Sequence, residues 1–193
     1  MKYLILTINA IAALYFSGCA VINLEKYYAP SNQDNKTDKY QWHNHILDSG
    51  PNNTAIIYED KDCYVKVRID YLTMKTLYVG PLYFPIIPIF TDEELMWPKN
   101  DKLNVVLNAT MNIFIIYDFS TCMLIMEDHT ILYPENVETD FIYNKYVLTY
   151  SIQGNKFDSF ILSFGQMILN GNMSISPMIP FHKTEAYTYS VGP

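Results

Sequence analysis

Alternation of apolar and polar residues is the feature that most constrains how this chain can fold. The odd-numbered residues of segment 63–71 are apolar, and most of the even-numbered residues between them are polar or charged. Because successive side chains of a β-strand point to opposite faces, this pattern predicts a strand with one buried face and one solvated face.

The longest alternating segment is 103–117, with apolar residues at odd positions and Asn104 and Asn108 on the other face. Its fifteen residues exceed the usual length of a strand. We therefore expect this strand to bend or bulge. Phe114 and Ile116 fill the other face of its second half, which we expect to be buried on both sides.

Turn-forming residues separate further strand patterns. Segments 55–58 and 63–71 flank a charged turn at 59–62, and segments 141–152 and 157–169 flank a polar turn at 153–156, so each pair predicts a hairpin. Further strands are predicted at 123–126, 130–133 and 184–189. Eight or nine strands at fairly even spacing predict an all-β fold, an antiparallel β-sandwich in preference to the alternative, a β-barrel.

Residues 91–97 are the one place where the sequence predicts a short helical turn. Thr91 and Glu94 stand three residues apart, which is the spacing of a capping box, and Pro98 follows as a stop signal.

Three prolines interrupt the very apolar segment 80–90, at Pro81, Pro85 and Pro88. Proline cannot donate a hydrogen bond to a β-ladder, so this segment is predicted to be an edge strand or an extended covering segment. Two interpretations remain open: a hydrophobic docking surface or ligand mouth, and a core strand whose edge is protected by proline.

The N-terminus has the layout of a signal peptide. Lys2 precedes a 14-residue apolar stretch at 3–16, and the small residues Ser17 and Gly18 follow. At about 1.5 Å per residue the stretch reaches about 21 Å as a helix, short of the ~30 Å hydrocarbon core, which disfavours a permanent transmembrane helix.

The sequence Phe16-Ser17-Gly18-Cys19 resembles the lipobox of bacterial lipoproteins. The resemblance implies cleavage between Gly18 and Cys19, a diacylglycerol thioether on Cys19, and often acylation of the new amino terminus. By analogy with that family, Ala20 directly after the cysteine favours the outer membrane over the inner one. The alternative is an ordinary secretory signal in which the cysteine is incidental.

The predicted organisation has three parts. Residues 1–18 are the signal peptide, residues 19–41 are a flexible tether rich in turn formers, and residues 42–193 are a single all-β domain.

Charge argues against nucleic acid as a partner. The net charge is −7, and Arg68 is the only arginine, so few residues are present to neutralise phosphates. The membrane, reached through the lipid anchor, and an unidentified envelope protein are the expected partners.

Cys63 and Cys122 are the cysteines that remain once Cys19 is acylated, and the expected compartment is oxidising. A disulfide between them is one prediction; the alternative is two buried free thiols that lie too far apart to bond.

Chemical motifs are sparse. His43 and His45 are two residues apart, as in some metal sites, but His129 and His182 would have to complete such a set from distant positions, and we assign no metal and no cofactor. Hydrolase, metalloprotease and phosphate-loop motifs are absent from the sequence. The expectation is a lipid-anchored envelope protein with a non-catalytic structural, assembly or binding role. The alternatives are a carrier of a small apolar ligand and a small enzyme whose site assembles only in three dimensions.

Overall fold

The computed structural model describes residues 19–31, 42–46, 54–60, 63–81, 87–88, 95–97, 101–110, 114–116, 118–152, 157–169 and 171–192. Within these ranges the chain forms seventeen β-strands and a 3-10 helix at Phe119–Thr121. The strands are β1 Cys19–Pro30, β2 Trp42–Ile46, β3 Thr54–Asp60, β4 Cys63–Asp70, β5 Leu72–Pro81, β6 Ile87–Pro88, β7 Leu95–Trp97, β8 Lys102–Ala109, β9 Phe114–Ile116, β10 Met123–Met126, β11 Ile131–Leu132, β12 Asn136–Asp140, β13 Lys145–Ser151, β14 Ser159–Ser163, β15 Gln166–Leu169, β16 Asn172–Ile175 and β17 Ile179–Gly192.

The strands form three sheets. An eight-stranded sheet has the order β11-β10-β14-β17-β1-β5-β6, with β7 paired to β5. A six-stranded sheet has the order β12-β13-β8-β4-β3-β2, and a three-stranded sheet has the order β16-β15-β9; both are antiparallel. None of these orders returns to its first strand across the ranges given above, so the fold is the predicted all-β sandwich with open sheets and not the alternative barrel.

The chain divides into two compact units, which are described separately. Unit 1 contains residues 1–26, 73–95 and 185–193, and unit 2 contains residues 27–72 and 96–184. The sequence predicts one domain over 42–193. The division falls within β1, β5, β7 and β17, so strand patterns alone give no signal for it.

The core of unit 2 confirms the alternation that predicts β4 and the first half of the long strand. Val67 of β4 pairs with Leu107 of β8, and both side chains are completely buried. They share one hydrophobic core with Leu124, Leu162 and Phe181 of the eight-stranded sheet. Apolar faces from two sheets therefore meet in one core, as a β-sandwich requires.

Aromatic rings extend this core at Tyr28. The ring centroid of Tyr28 lies 5.3 Å from that of Phe157 and 5.1 Å from that of Phe160. The Tyr28 hydroxyl donates a 2.9 Å hydrogen bond to the carbonyl oxygen of Phe157, so its polar end is satisfied although the residue is buried.

The predicted tether at 19–41 differs from the structure over its first part. Cys19–Pro30 forms β1, which lies between β17 and β5 in the eight-stranded sheet. Ala20, Tyr27, Tyr28 and Ala29 are buried, and neighbouring strands cover both edges of β1. Residues 32–41 lie outside the described residues.

The predicted long strand at 103–117 is two strands in different sheets. β8 ends at Ala109, and Thr110 bonds to Tyr64: its N–H donates to the carbonyl oxygen of Tyr64 at 2.8 Å. β9 belongs to the three-stranded sheet, and there the even-numbered Ile116 is buried. The alternation therefore changes phase where the strand breaks. Residues 111–113 lie outside the described residues.

The two hairpin predictions have different outcomes. β3 and β4 form the hairpin predicted at 55–71, with Asp60 opposite Cys63. The hairpin predicted at 141–169 is wrong, because β13 is bonded on its two edges by β12 and β8 while β14 pairs with β10 and β17. A strand with both edges occupied has no edge left for its neighbour in sequence.

The helical turn predicted at 91–97 is wrong over its last three residues. Leu95–Trp97 forms β7 and pairs with β5, because this apolar trio completes a ladder that the capping-box spacing does not reveal. Residues 91–94 lie outside the described residues.

Candidate functional site

The most exposed apolar surface described for unit 2 is the turn between β12 and β13. Asp140 pairs with Lys145, which leaves the four residues 141–144 as the turn. Phe141, Ile142 and Tyr143 are 78%, 76% and 74% exposed. We call these three residues the apolar tip.

The carboxylate of Asp140 fixes the first half of this turn. Its Oδ1 atom accepts hydrogen bonds from the backbone N–H of Ile142 at 3.0 Å and of Tyr143 at 3.3 Å. An aspartate that bonds to the backbone two residues ahead forms an Asx turn, which holds the chain without a regular ladder.

Asn144 fixes the second half. It adopts a positive φ of 44°, which asparagine tolerates better than most residues, and it is buried. Its Nδ2 atom donates to the carbonyl oxygens of Ala109 at 3.2 Å and Thr110 at 2.9 Å, and its Oδ1 atom accepts from the Tyr146 hydroxyl at 3.1 Å. These hydrogen bonds join the turn to the end of β8, so the backbone that carries the apolar tip is held in one conformation.

A cavity of about 400 Å³ adjoins the same strand. Its lining residues are Phe119, Ser120, Tyr133, Pro134 and Val137. All five are exposed or half-buried, so the cavity opens to solvent. Val137 belongs to β12, four residues before Phe141, and the Phe119 ring lies 5.7 Å from that of Tyr146 below the turn.

The chemistry offered by the cavity is mainly apolar contact. Its lining contains two aromatic rings, a proline and a valine, and its polar side chains are the hydroxyls of Ser120 and Tyr133. Asp118 stands beside it at the start of the 3-10 helix, where hydrogen bonds from Ser120 lower the pKa of its carboxyl group. A surface of this composition suits an apolar side chain or a small apolar ligand.

The predicted disulfide between Cys63 and Cys122 is absent, because Cys122 carries a free thiol. Cys122 is completely buried, and its Sγ atom lies 3.7 Å from the Phe164 carbonyl oxygen, to which it donates. Burial raises the pKa of this thiol to about 12. A thiol that holds its proton so strongly is a poor nucleophile, which fits a structural role. Cys63 begins β4, and its side chain lies outside the described residues.

Cys19, the predicted attachment site for lipid, is the first residue of β1, and Gly18 lies outside the described residues. The anchor and the cleavage site stay predictions.

The histidines are distributed over distant elements. His43 and His45 lie in β2 opposite Ile57 and Ala55, and their side chains are outside the described residues. His129 adopts a φ of 66° in the turn between β10 and β11, while His182 in β17 lies 3.2 Å from the Ser31 hydroxyl through Nδ1. Among the residues whose side chains are described, no three His, Cys, Asp or Glu residues are grouped to hold a metal ion.

The proline-rich segment 80–90 is described at its two ends. β5 ends at Pro81, and β6, at Ile87–Pro88, is the last strand of the eight-stranded sheet, so the edge position is confirmed there. Both residues of β6 are exposed, which differs from the interpretation of a core strand. Residues 82–86 and 89–90 lie outside the described residues.

Sequence reasoning missed the apolar tip. Phe141, Ile142 and Tyr143 look like the start of the strand predicted at 141–152. Asp140 and Asn144, which flank them, were the available turn signal.

The helices within the described ranges include none long and apolar enough to span a membrane. Comparison of the whole chain with known protein families, with curated proteins and with solved structures finds no match.

Proposed function

We propose that this chain is a lipid-anchored protein of the bacterial cell envelope with a non-catalytic binding or assembly role. The apolar tip is the observation that carries the binding role. Three large apolar side chains in solvent are unfavourable for an isolated protein, and such surfaces are typical of sites that a partner covers. The resemblance of residues 16–19 to a lipobox supports the anchor, with the outer membrane favoured over the inner one.

The partner in this proposal is another envelope protein with an apolar recess. Asp140 and Asn144 already fix this turn, so it loses little conformational entropy on binding. Most of the free energy gained from apolar contact therefore contributes to affinity. The cavity beside Val137 adds a recess that an apolar side chain of the partner fits.

The cavity also distinguishes this proposal from the carrier alternative. A carrier encloses most of its ligand, whereas the lining residues of this cavity are in part solvent-exposed. Its shape and position therefore support contact with a protein surface more than transport of a small molecule.

Site-specific photo-crosslinking tests the binding role. A photoreactive phenylalanine analogue is placed at Tyr143 in the acylated protein in its own membranes, with Ile175 as the matched control because it is 77% exposed in β16. We expect one discrete adduct from position 143 and none from position 175. Ile142→Ser should abolish the adduct without unfolding the protein, because that side chain is mostly solvated. Equal labelling from both positions contradicts the proposal.

The anchor is tested by Cys19→Ser. Serine cannot form the thioether, so the precursor should stay unprocessed and radioactive palmitate should not be incorporated. Normal acyl labelling of this variant contradicts the anchor.

A further inference from the structure

The end of unit 1 that holds Cys19 can be located from the register of β1 and β5. The Thr76 hydroxyl donates to Oδ1 of Asn23 at 2.9 Å, and the Tyr28 ring lies 5.3 Å from that of Tyr71. Residue numbers therefore rise along β1 as they fall along β5, so the strands are antiparallel. These contacts place Cys19 toward the end of β5 that holds Gly80.

The other neighbours of these strands complete that end. The Thr188 hydroxyl donates to Oε1 of Glu25 at 2.8 Å, and Ser31 N–H donates to the Pro180 carbonyl oxygen at 2.9 Å, so β1 and β17 are antiparallel as well. The last residues of β17 thus lie beside Cys19. In β6, Ile87 pairs with Val79, next to Gly80.

The described segments at this end of unit 1 carry no charged residue. The charged residues among its described positions are Glu25, Lys26, Lys75 and Glu185. All four lie at the opposite end of the unit 1 portions of β1, β5 and β17. The segments nearest Cys19 carry no charged residue: 19–24, 76–81, 87–88 and 186–192. We call these four segments the charge-free end.

The charge-free end exposes apolar and aromatic side chains. Tyr78, Ile87, Tyr187 and Tyr189 are each more than two-fifths solvent-exposed. Tyrosine is enriched where a membrane meets water, because its ring is apolar and its hydroxyl is polar. The four described segments, with exposed tyrosines and no charged residue, match the interfacial layer of a bilayer.

We propose that the charge-free end of unit 1 contacts the interfacial region of the phospholipid bilayer. The inference rests on the proposed anchor, since acyl chains on Cys19 would hold this end at the membrane. Ala20 follows Cys19 directly and is completely buried in β1, so no spacer separates the anchor from the sheet. In a protein with a net charge of −7, an uncharged contact also avoids repulsion from anionic headgroups.

Quenching by brominated lipids tests this contact in the full-length acylated protein. Tyr189→Trp puts a probe in the charge-free end. Glu185→Trp is the matched control on the same face of β17, four residues or about 13 Å away. The vesicles contain phosphatidylethanolamine and phosphatidylglycerol with brominated acyl chains, and the signal of the parent protein, from Trp42 and Trp97, is subtracted.

We expect at least about twofold stronger quenching of the probe at 189 than of the probe at 185, because an indole ring at the membrane–water interface lies closer to the brominated acyl chains. Tyr78→Trp in β5 is a second probe if Tyr189→Trp does not fold. Equal quenching in vesicle-bound, acylated protein overturns the inference. Crosslinking of two copies through position 189, with no quenching, overturns it in favour of a dimer.

Acyl labelling of the same samples separates the two proposals. Labelled protein without preferential quenching leaves the anchor standing and removes the bilayer contact. Unlabelled protein removes the anchor, and the quenching of Tyr189→Trp in protein added to preformed vesicles then decides the bilayer contact alone.

Discussion

Two glycines of unit 2 adopt the left-handed backbone conformation in different surroundings. Gly165 has a φ of 64° and Gly171 a φ of 73°. A Cβ atom on Gly165 would overlap the Thr121 side chain, whereas a Cβ atom on Gly171 would have no heavy atom within 4 Å. Alanine substitutions at these two glycines therefore separate the energetic cost of backbone strain from the cost of a steric overlap.

We expect Gly171→Ala to lower the free energy of unfolding by about 1–2 kcal/mol, the cost of a left-handed conformation for an L-residue. Gly165→Ala should cost more, because the Thr121 hydroxyl, which donates to the Asp118 carbonyl oxygen at 2.7 Å, must also move. Urea unfolding midpoints of the two variants measure the difference. Similar losses would show that Thr121 adapts freely.

Strand β8 lies at the centre of its sheet, and its odd-numbered residues 103–107 face the core, while Val106 is also buried on the other face. It pairs with β13 on one edge and β4 on the other. Leu107 is completely buried, while Asn108 on the opposite face is half-buried between Lys66 and Lys145.

Leu107→Ala should cost about 2–5 kcal/mol, because it removes buried methylene groups and leaves a cavity. Asn108→Ser should cost under about 1 kcal/mol, because it removes no core packing. Denaturant midpoints of soluble protein that starts after Cys19 test the contrast. Comparable losses at the two positions would mean that the alternation misplaces the core.

The alternation predicts local strands well and their partners poorly. It identifies β4, β8 and β10 because each strand has one face in the core. The alternation of side chains between the two faces depends only on the strand itself. It does not show that β8 ends near Ala109, because there the Asn144 side chain, which is distant in sequence, donates to the carbonyl oxygens of Ala109 and Thr110. The sequence predicts a tether where β1 forms, because β5 and β17, which pair with β1, are distant in sequence and give no local signal.

The candidate site was harder to predict than the fold for a related reason. Phe141, Ile142 and Tyr143 have the composition of a buried strand, and apolar composition cannot say which side of a turn is solvated. Their exposure follows from Asn144, whose bonds to the Ala109 and Thr110 carbonyl oxygens end β8 and turn the chain outward.

At the scale of the molecule, the core of unit 2 contains several weak acids that burial keeps protonated. Burial raises the pKa of Tyr28, of Tyr150 and of Cys122 above their ordinary values of 10 and 9. The folded state therefore holds these protons at a pH where the unfolded chain releases them. Their contribution to stability is complete below pH 9 and is lost as the pH rises through the raised pKa values.

We expect the free energy of unfolding to fall steadily above about pH 9, by at most about 1.4 kcal/mol per pH unit for each such group. Urea unfolding at a series of alkaline pH values measures the slope. If the free energy of unfolding does not change between pH 8 and pH 11, the folded and unfolded states release the same number of protons over that range. That result would contradict the burial of these groups.

Phenylalanine substitutions at Tyr150 and Tyr28 test how each hydroxyl contributes to the dependence of stability on alkaline pH. The Tyr150 hydroxyl is buried and has no hydrogen-bond partner, so Tyr150→Phe should leave stability at pH 7 unchanged or raise it by up to about 1 kcal/mol. The Tyr28 hydroxyl donates to the Phe157 carbonyl oxygen, so Tyr28→Phe should cost about 0.5–1.5 kcal/mol at pH 7. Both variants should show a shallower alkaline slope than the parent, because each removes one titrating group. If the two variants lose stability equally at pH 7, the Tyr150 hydroxyl forms a hydrogen bond in solution. Burial alone would then not explain the raised pKa of Tyr150.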